Sequence, residues 1–193
     1  MKVKYFLKRP IKRFLGFVLA IALLLLFSDK ILLNLGKALY PIKYSDYVSK
    51  YCAEYNIEES FCYALINCES KFKEDAVSSA DAKGLMQLTD DTFLWISGKI
   101  YGEEKDIEDI FDPEINIRCG VWYLSYLRDM FENDSLVIAA YNAGPGKVGE
   151  WLNNPDYSAD GENLLAYPFK ETGKHVEKVL NAQKIYLKLY DIN

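Results

Sequence analysis

Metal-binding side chains are scarce in this sequence. His175 is its only histidine, and the cysteines do not follow the spacing of a zinc site. There are four of them: Cys52, Cys62, Cys68 and Cys119. Cys62 and Cys68 lie on one predicted helix and point in different directions, so buried free thiols are favoured over disulfides. We therefore expect no metal site and no cofactor.

The body of the chain also lacks basic clusters. Residues 1–13 carry six basic side chains and no acidic one, while the whole chain has a net charge of −5. The remainder is therefore strongly acidic, which argues against nucleic acid as a partner because phosphate binding needs clustered lysine and arginine. No alternating strand pattern of useful length and no internal repeat occurs, so the predicted fold class is mainly α.

One long apolar run is present near the N-terminus. Residues 14–27 are apolar without interruption and directly follow the basic segment, an order typical of an export signal. We expect an uncleaved anchor, because small residues suited to cleavage are poorly placed, with the basic flank in the cytoplasm and the rest outside. The predicted organisation is a cytoplasmic segment (1–13), one transmembrane helix or signal anchor (14–35), a linker (36–43) and a globular domain (44–193).

The globular domain is predicted to consist of helices joined by loops. Capping residues, prolines and apolar spacing place the helices at about 45–55, 58–72, 91–97, 113–131, 134–142, 146–151 and 171–189. Two stretches rich in small and polar residues, 73–89 and 153–168, are predicted loops. With about 150 residues, this part of the chain is long enough to bury one ordinary core.

An acidic residue lies against the apolar face of the second of these helices. Phe61, Leu65, Cys68 and Phe72 recur at helical intervals, and Glu69 follows Leu65 by four positions. Burial in such surroundings favours the protonated carboxyl group that a general acid requires. The alternative is an acid at the edge of a core stripe, with its carboxylate reaching solvent or a basic partner.

Several short motifs follow this acid in a fixed order. They are Glu69-Ser70, Ala76-Val77-Ser78, Gly84-Leu85-Met86-Gln87-Leu88 and Ala139-Ala140-Tyr141-Asn142-Ala143-Gly144-Pro145-Gly146, with 112–117 and 168–172 as further landmarks. In this order and at these intervals they closely resemble the soluble-lytic-transglycosylase-type domain, which has a goose-type lysozyme fold. The resemblance covers residues 44–190, essentially the whole globular domain.

The resemblance implies a reaction on bacterial peptidoglycan. Enzymes of this family cut the β-1,4 bond between N-acetylmuramic acid and N-acetylglucosamine, and the muramic C6 hydroxyl attacks C1 to leave a 1,6-anhydro end. One carboxylate, here Glu69, acts first as acid and then as base. Ordinary glycosidases use two carboxylates, and no second one is assigned in this chain. Together with the predicted anchor, the resemblance implies an enzyme in the bacterial cell membrane that faces the wall, and we expect it to be a monomer.

The same resemblance implies which residues surround the acid. The substrate-binding set is Ser78, Gln87, Tyr141, Asn142 and His175, and the supporting set is Ser70, Gly84 and Met86. Four simpler readings stay open: Ser78 bonding its own loop, Gln87 holding that loop together, Asn142 capping a helix, and His175 lying partly exposed on its helix without a role. Met86 is expected to pack beneath the cleft.

Two departures from the family pattern concern this site. The last helix begins Glu171-Thr172-Gly173-Lys174-His175, so His175 replaces a tyrosine that approaches the acid and an arginine is absent. Thr89-Asp90 stands where Met-Pro is common. Two other functions therefore stay open: a goose-type lysozyme-like hydrolase of the same bond, and a catalytically silent wall-binding domain.

Overall fold

The computed structural model describes residues 8–192, without the side chains of residues 8–12, 23–26 and 29. Most of the predicted cytoplasmic segment 1–13 thus lies outside the described residues.

The chain divides after Leu39 into two compact units. The first is helix α1, Lys8–Leu39, which exposes apolar side chains such as Phe14 and Phe17. In the described part of the chain, no helix has both the length and the apolarity needed to cross a membrane, so the predicted transmembrane helix is not confirmed.

The second unit is helical, as predicted. Its elements are α2 (Ser45–Tyr55), α3 (Glu59–Glu69), α4 (Asp90–Tyr101), a short 3₁₀ helix (Ile107–Phe111), α5 (Pro113–Met130), α6 (Asp134–Ala143), α7 (Pro145–Leu152) and α8 (Lys170–Leu189). The prediction of a mainly α fold is confirmed for this unit. Its four cysteines are buried and unpaired, also as predicted.

Helix α3 runs through the centre of this unit. Every residue from Ser60 to Cys68 is buried, so the helix is covered on all sides rather than along the single apolar stripe of the sequence. Helix α8 packs along it, with the rings of Tyr63 and Tyr186 stacked at 5.7 Å between centroids. Lys178 on α8 donates a 2.8 Å hydrogen bond from Nζ to the carbonyl of Cys68, which places a positive charge at the C-terminus of α3, where the helix dipole favours it.

Two predicted helix ends were wrong. Helix α3 ends at Glu69 instead of residue 72. Helix α4 continues past Ser97 to Tyr101 and is followed by Gly102, whose φ of 79° suits a C-terminal cap. Helix α6 begins at Asp134, as predicted, and is capped by Asn133. The Asn133 Oδ1 accepts the Leu136 N–H at 3.0 Å, the bond expected of a residue that precedes the first helical turn.

Residues 73–89 form a crossing loop that is tied down by a buried amide. Two isolated antiparallel bridges, Val77 with Lys83 and Lys83 with Leu88, fold the loop back on itself. The Asn116 Oδ1 accepts the Met86 N–H at 2.8 Å, and its Nδ2 donates to the Ile110 carbonyl at 2.7 Å. Asn116 is fully buried, so these bonds replace the water that its amide loses.

Two glycines make room for this arrangement. Gly84 has φ +76°, and a Cβ there would meet the Asn116 amide and lie 2.6 Å from the Ile110 carbonyl oxygen. Gly120 on α5 faces Met86, and a Cβ there would meet the sulfur and lie 2.8 Å from the Met86 Cβ. Met86 is fully buried. The loop therefore approaches α5 more closely than any side chain at these two positions would allow.

We expect Gly120→Ala to lower the free energy of unfolding by about 1–3 kcal/mol, because a new methyl group must enter a filled core. Gly149→Ala is the matched control: Gly149 lies inside α7, and a Cβ there meets nothing within 4 Å. The control should be neutral or stabilising by up to about 1 kcal/mol, since alanine favours a helix over glycine. Denaturant unfolding monitored by circular dichroism measures both changes, and equal stabilities of the two variants would contradict the close packing of Met86 on Gly120.

Candidate active site

Glu69 is the last residue of α3, and its side chain is only 16% exposed. The chain turns sharply after it: Lys71 and Phe72 both have positive φ, at 55° and 59°. Residues with side chains rarely adopt this backbone conformation, so contacts with the surrounding structure must stabilise it. Phe72 is buried beside Tyr63, with 6.4 Å between ring centroids. The Ser70 hydroxyl donates to the Ile66 carbonyl at 3.3 Å, so Ser70 supports the helix end beneath the acid.

Glu69 has one described side-chain contact with a basic group, which is His175 on α8. Its Nε2 lies 3.1 Å from the Glu69 Oε1, and the His175 side chain is 13% exposed. Within the described residues, this buried nitrogen has no hydrogen bond of good geometry. The two groups are therefore close enough to form an ion pair when the histidine is protonated, without the alignment of a directed hydrogen bond.

Tyr141, near the end of α6, lies close enough to the acid to be affected by its charge. Its hydroxyl donates to the Met86 carbonyl at 2.8 Å, and its ring packs on Tyr123 with 5.3 Å between centroids. Burial, and secondly the negative charge of Glu69, raise the pKa of Tyr141 well above its usual range. Tyr141 therefore stays a neutral hydroxyl group beside the carboxyl group, fixed to the crossing loop.

Gln87 and Ser78 both bond to their own loop. The Gln87 Nε2 donates to the carbonyls of Gly84 at 2.9 Å and Ala76 at 3.2 Å, and Gln87 has a positive φ of 51°. The Ser78 hydroxyl accepts the Ala82 N–H at 3.1 Å. These bonds correspond to the simpler reading of each residue. The Ser78 side chain is nevertheless exposed, and the described bonds of Gln87 use only its amide nitrogen.

Asn142 joins the end of α6 to the start of α8. Its Oδ1 accepts a 2.8 Å hydrogen bond from the hydroxyl of buried Thr172, and the side chain is exposed. The cap of α6 is Gly144, with φ 90°, so Asn142 is not the capping residue. Thr172 thus places Asn142 close in sequence and space to Tyr141 and His175.

Gly173, which stands where the family pattern has an arginine, packs against the ring of Tyr167. A Cβ on Gly173 would lie 3.0 Å from the Tyr167 Cδ2, so the glycine allows the Tyr167 ring to pack against the first turn of α8. Sequence reasoning missed Tyr167, as it missed the roles of Lys178 and Asn116. Asn116 lies within the landmark at residues 112–117, so the sequence did indicate that this residue matters.

Three of the acids that follow Glu69 in sequence are engaged elsewhere. Glu74 accepts a hydrogen bond from the Tyr44 hydroxyl at 2.9 Å. Asp90 pairs with Lys83 at 2.6 Å, and Asp81 lies 3.4 Å from the same ammonium group. Glu69 is therefore the shielded carboxyl group of this site, flanked by an imidazole and a neutral phenol, and such a group suits proton transfer in both directions.

Comparison with known proteins identifies the same region. The model of the Transglycosylase SLT domain family matches residues 46–164. A putative soluble lytic murein transglycosylase of Haemophilus influenzae is 35% identical over 147 residues, which are 72% of this chain and 24% of that protein. Membrane-bound lytic murein transglycosylase C of Edwardsiella ictaluri is 32% identical over 170 residues, covering 76% of this chain and 47% of that protein.

A solved structure has the same fold. The lytic transglycosylase Slt of Pseudomonas aeruginosa, determined as an inactive glutamate-to-glutamine mutant, superposes with a TM-score of 0.66 at 30% identity, over 78% of this chain and 25% of that one. The chain spans about a quarter of the length of the soluble relatives that it matches. Sequence and fold agree that the chain belongs to the Transglycosylase SLT domain family.

Proposed function

We propose that the helical domain is a peptidoglycan lytic transglycosylase that cleaves the β-1,4 bond between N-acetylmuramic acid and N-acetylglucosamine. The observation that carries this proposal is the single shielded carboxyl group of Glu69, 3.1 Å from His175 at the end of the central helix. Relatives named lytic murein transglycosylases support the reaction class. The solved structure of Slt from Pseudomonas aeruginosa is that of an inactive glutamate-to-glutamine mutant.

Glu69 performs both proton transfers of the proposed reaction. Its protonated carboxyl group donates to the glycosidic oxygen as the bond from that oxygen to the muramic C1 breaks. The resulting carboxylate then accepts the proton of the muramic C6 hydroxyl as its oxygen bonds to C1, which gives a 1,6-anhydro end and restores the acid. The attack is intramolecular, so its advantage comes from proximity rather than from a second protein group.

Hydrolysis of the same bond is less well supported by this site. An inverting hydrolase needs a second carboxylate to activate water, and a retaining one needs a second carboxylate as nucleophile. Among the acids that follow Glu69 in sequence, three are held by Tyr44 or Lys83 and two are exposed: Glu74, Asp81 and Asp90 are held, and Asp75 and Asp91 are exposed. The goose-type lysozyme-like alternative therefore lacks its second group among these residues.

The neighbours of Glu69 have distinct proposed roles. Tyr141 stays a neutral donor and links the acid to the loop through the Met86 carbonyl. Gln87, whose Nε2 is used by the loop, offers its amide oxygen to an N-acetyl N–H group. Ser78 and Asn142 offer exposed polar groups that bond sugar hydroxyls without adding charge.

We also propose that helix α1 attaches the domain to the bacterial membrane, with the domain on the wall side. The support is the unbroken apolar run of residues 14–27 behind a basic segment. One relative is named a membrane-bound lytic transglycosylase. An attached domain reaches only nearby wall, which makes its action local.

Replacing Glu69 tests the proposed reaction. Glu69→Gln should lower the rate of peptidoglycan cleavage about a thousandfold, because the amide can neither donate nor accept the proton. Glu74→Gln, which changes an exposed acid bonded to Tyr44, should retain the rate. Mass spectrometry of the digest should find anhydromuramic ends, which lack one water relative to reducing ends; reducing ends alone would establish the hydrolase instead.

Replacing His175 tests the influence of its charge on the acid. A protonated imidazole 3.1 Å from the Glu69 oxygen stabilises the carboxylate and opposes the protonated form that starts the reaction. His175→Tyr, which places a neutral phenol at this position, should therefore cleave a peptidoglycan suspension at least as fast as the unmodified protein. A large loss of activity in this variant would mean that the imidazole itself takes part in the reaction.

A charge within the apolar run tests the attachment. The full chain should sediment with membranes and resist an alkaline carbonate wash, whereas Leu19→Arg should be partly released, since arginine at a helix centre costs about 3 kcal/mol of insertion. Leu165→Arg changes an exposed leucine of the helical domain and should behave like the unmodified chain. Recovery of the unmodified chain in the soluble fraction would rule out attachment through α1.

A further inference from the structure

Four aromatic rings form a cluster between α4 and α5. The Trp95 ring centroid lies 5.5 Å from that of Trp122 and 5.2 Å from that of Tyr126. The rings of Trp122 and Tyr126 are nearly parallel, at 10° and 5.5 Å. Tyr123 completes the cluster, 6.2 Å from Trp95 and 6.3 Å from Tyr126. We call these four residues the aromatic platform.

The platform lies partly at the surface, beyond the core. Trp95 is 38% exposed, while Phe93 and Ile96 on the same helix are fully buried. These two residues already supply the contact of α4 with the core, so packing of α4 does not account for the exposed tryptophan. Trp122 and Tyr126 are partly exposed beside it, and Tyr123 is buried beneath them. Large aromatic side chains that meet at a surface are a feature of binding sites.

The platform is connected to the candidate active site through the buried ring of Tyr123. Tyr123 contacts Trp95 on one side and Tyr141 on the other, where the centroids lie 5.3 Å apart. Tyr141 in turn is bonded to the Met86 carbonyl and feels the charge of Glu69. Helix α4, which carries Trp95, begins directly after the crossing loop. An unbroken series of rings therefore leads from the surface of α4 to the tyrosine beside the acid.

We infer that the aromatic platform binds a sugar ring of the glycan strand, at a distance from the bond that is cut. Pyranose rings present apolar C–H faces that pack against aromatic rings, and tyrosine and tryptophan add polar edges for the hydroxyl groups. No member of the platform carries a charge, which suits an uncharged N-acetylated sugar, and the acidic body of the chain disfavours an anionic polymer. This inference rests on the proposed function and adds a preference for longer strands.

The test measures binding without cleavage. In the Glu69→Gln background, titration calorimetry compares the trimer and the hexamer of N-acetylglucosamine, uncharged analogues of the strand. Adding Trp95→Ala should weaken hexamer binding about tenfold, the loss expected for one stacked ring, and leave trimer binding unchanged. Trp95→Phe should restore most of the affinity. The control is Leu187→Ala, which removes an exposed apolar side chain about 18 Å along α8 from His175.

The outcomes separate this inference from the proposed function. If neither oligomer binds the Glu69→Gln protein, the proposed function fails and the inference fails with it. If both bind and Trp95→Ala leaves hexamer affinity unchanged, or weakens trimer and hexamer equally, only the inference is overturned. If sedimentation instead shows a dimer that Trp95→Ala dissociates, the platform is a contact between copies of the chain and the inference is again overturned. Circular dichroism confirms that each variant is folded.

Discussion

The buried side-chain amide of Asn116 is the interaction on which one wall of the site depends. It accepts the Met86 N–H and donates to the Ile110 carbonyl, and in doing so fixes the crossing loop to α5. The Met86 carbonyl then holds the Tyr141 hydroxyl. Each buried polar group that loses its partner costs about 1–3 kcal/mol. These bonds therefore stabilise the loop, Met86 and Tyr141 as one connected unit.

The acid itself has a separate support. Glu69 ends a helix that is buried on all sides, and α8 holds that end through Lys178, whose ammonium group bonds the Cys68 carbonyl at 2.8 Å. His175 comes from the same helix. The carboxyl group therefore lies where the α8 contacts meet the loop contacts, and its position is determined by two sets of interactions that share no residue.

The helices were predictable from the sequence because apolar spacing, caps and prolines act locally. The spacing of Phe61, Leu65 and Cys68 correctly predicted a buried face for α3, but that helix ends before Phe72 and is enclosed on every side, which periodicity cannot show. The loop contacts were not predictable. The Gln87 bonds depend on a positive φ in a non-glycine residue, a conformation that the surrounding fold imposes and the local sequence does not favour.

The first turn of α8 shows why two departures from the family pattern belong together. Gly173 leaves the space into which the Tyr167 ring packs, so the loop before α8 closes against the helix without the absent arginine. Two residues later, His175 still reaches within 3.1 Å of Glu69. A tyrosine at that position offers a neutral hydroxyl group, whereas an imidazole can accept or donate a proton through its ring nitrogens. The exchange therefore keeps a side chain beside the acid while changing the chemistry that this neighbour offers.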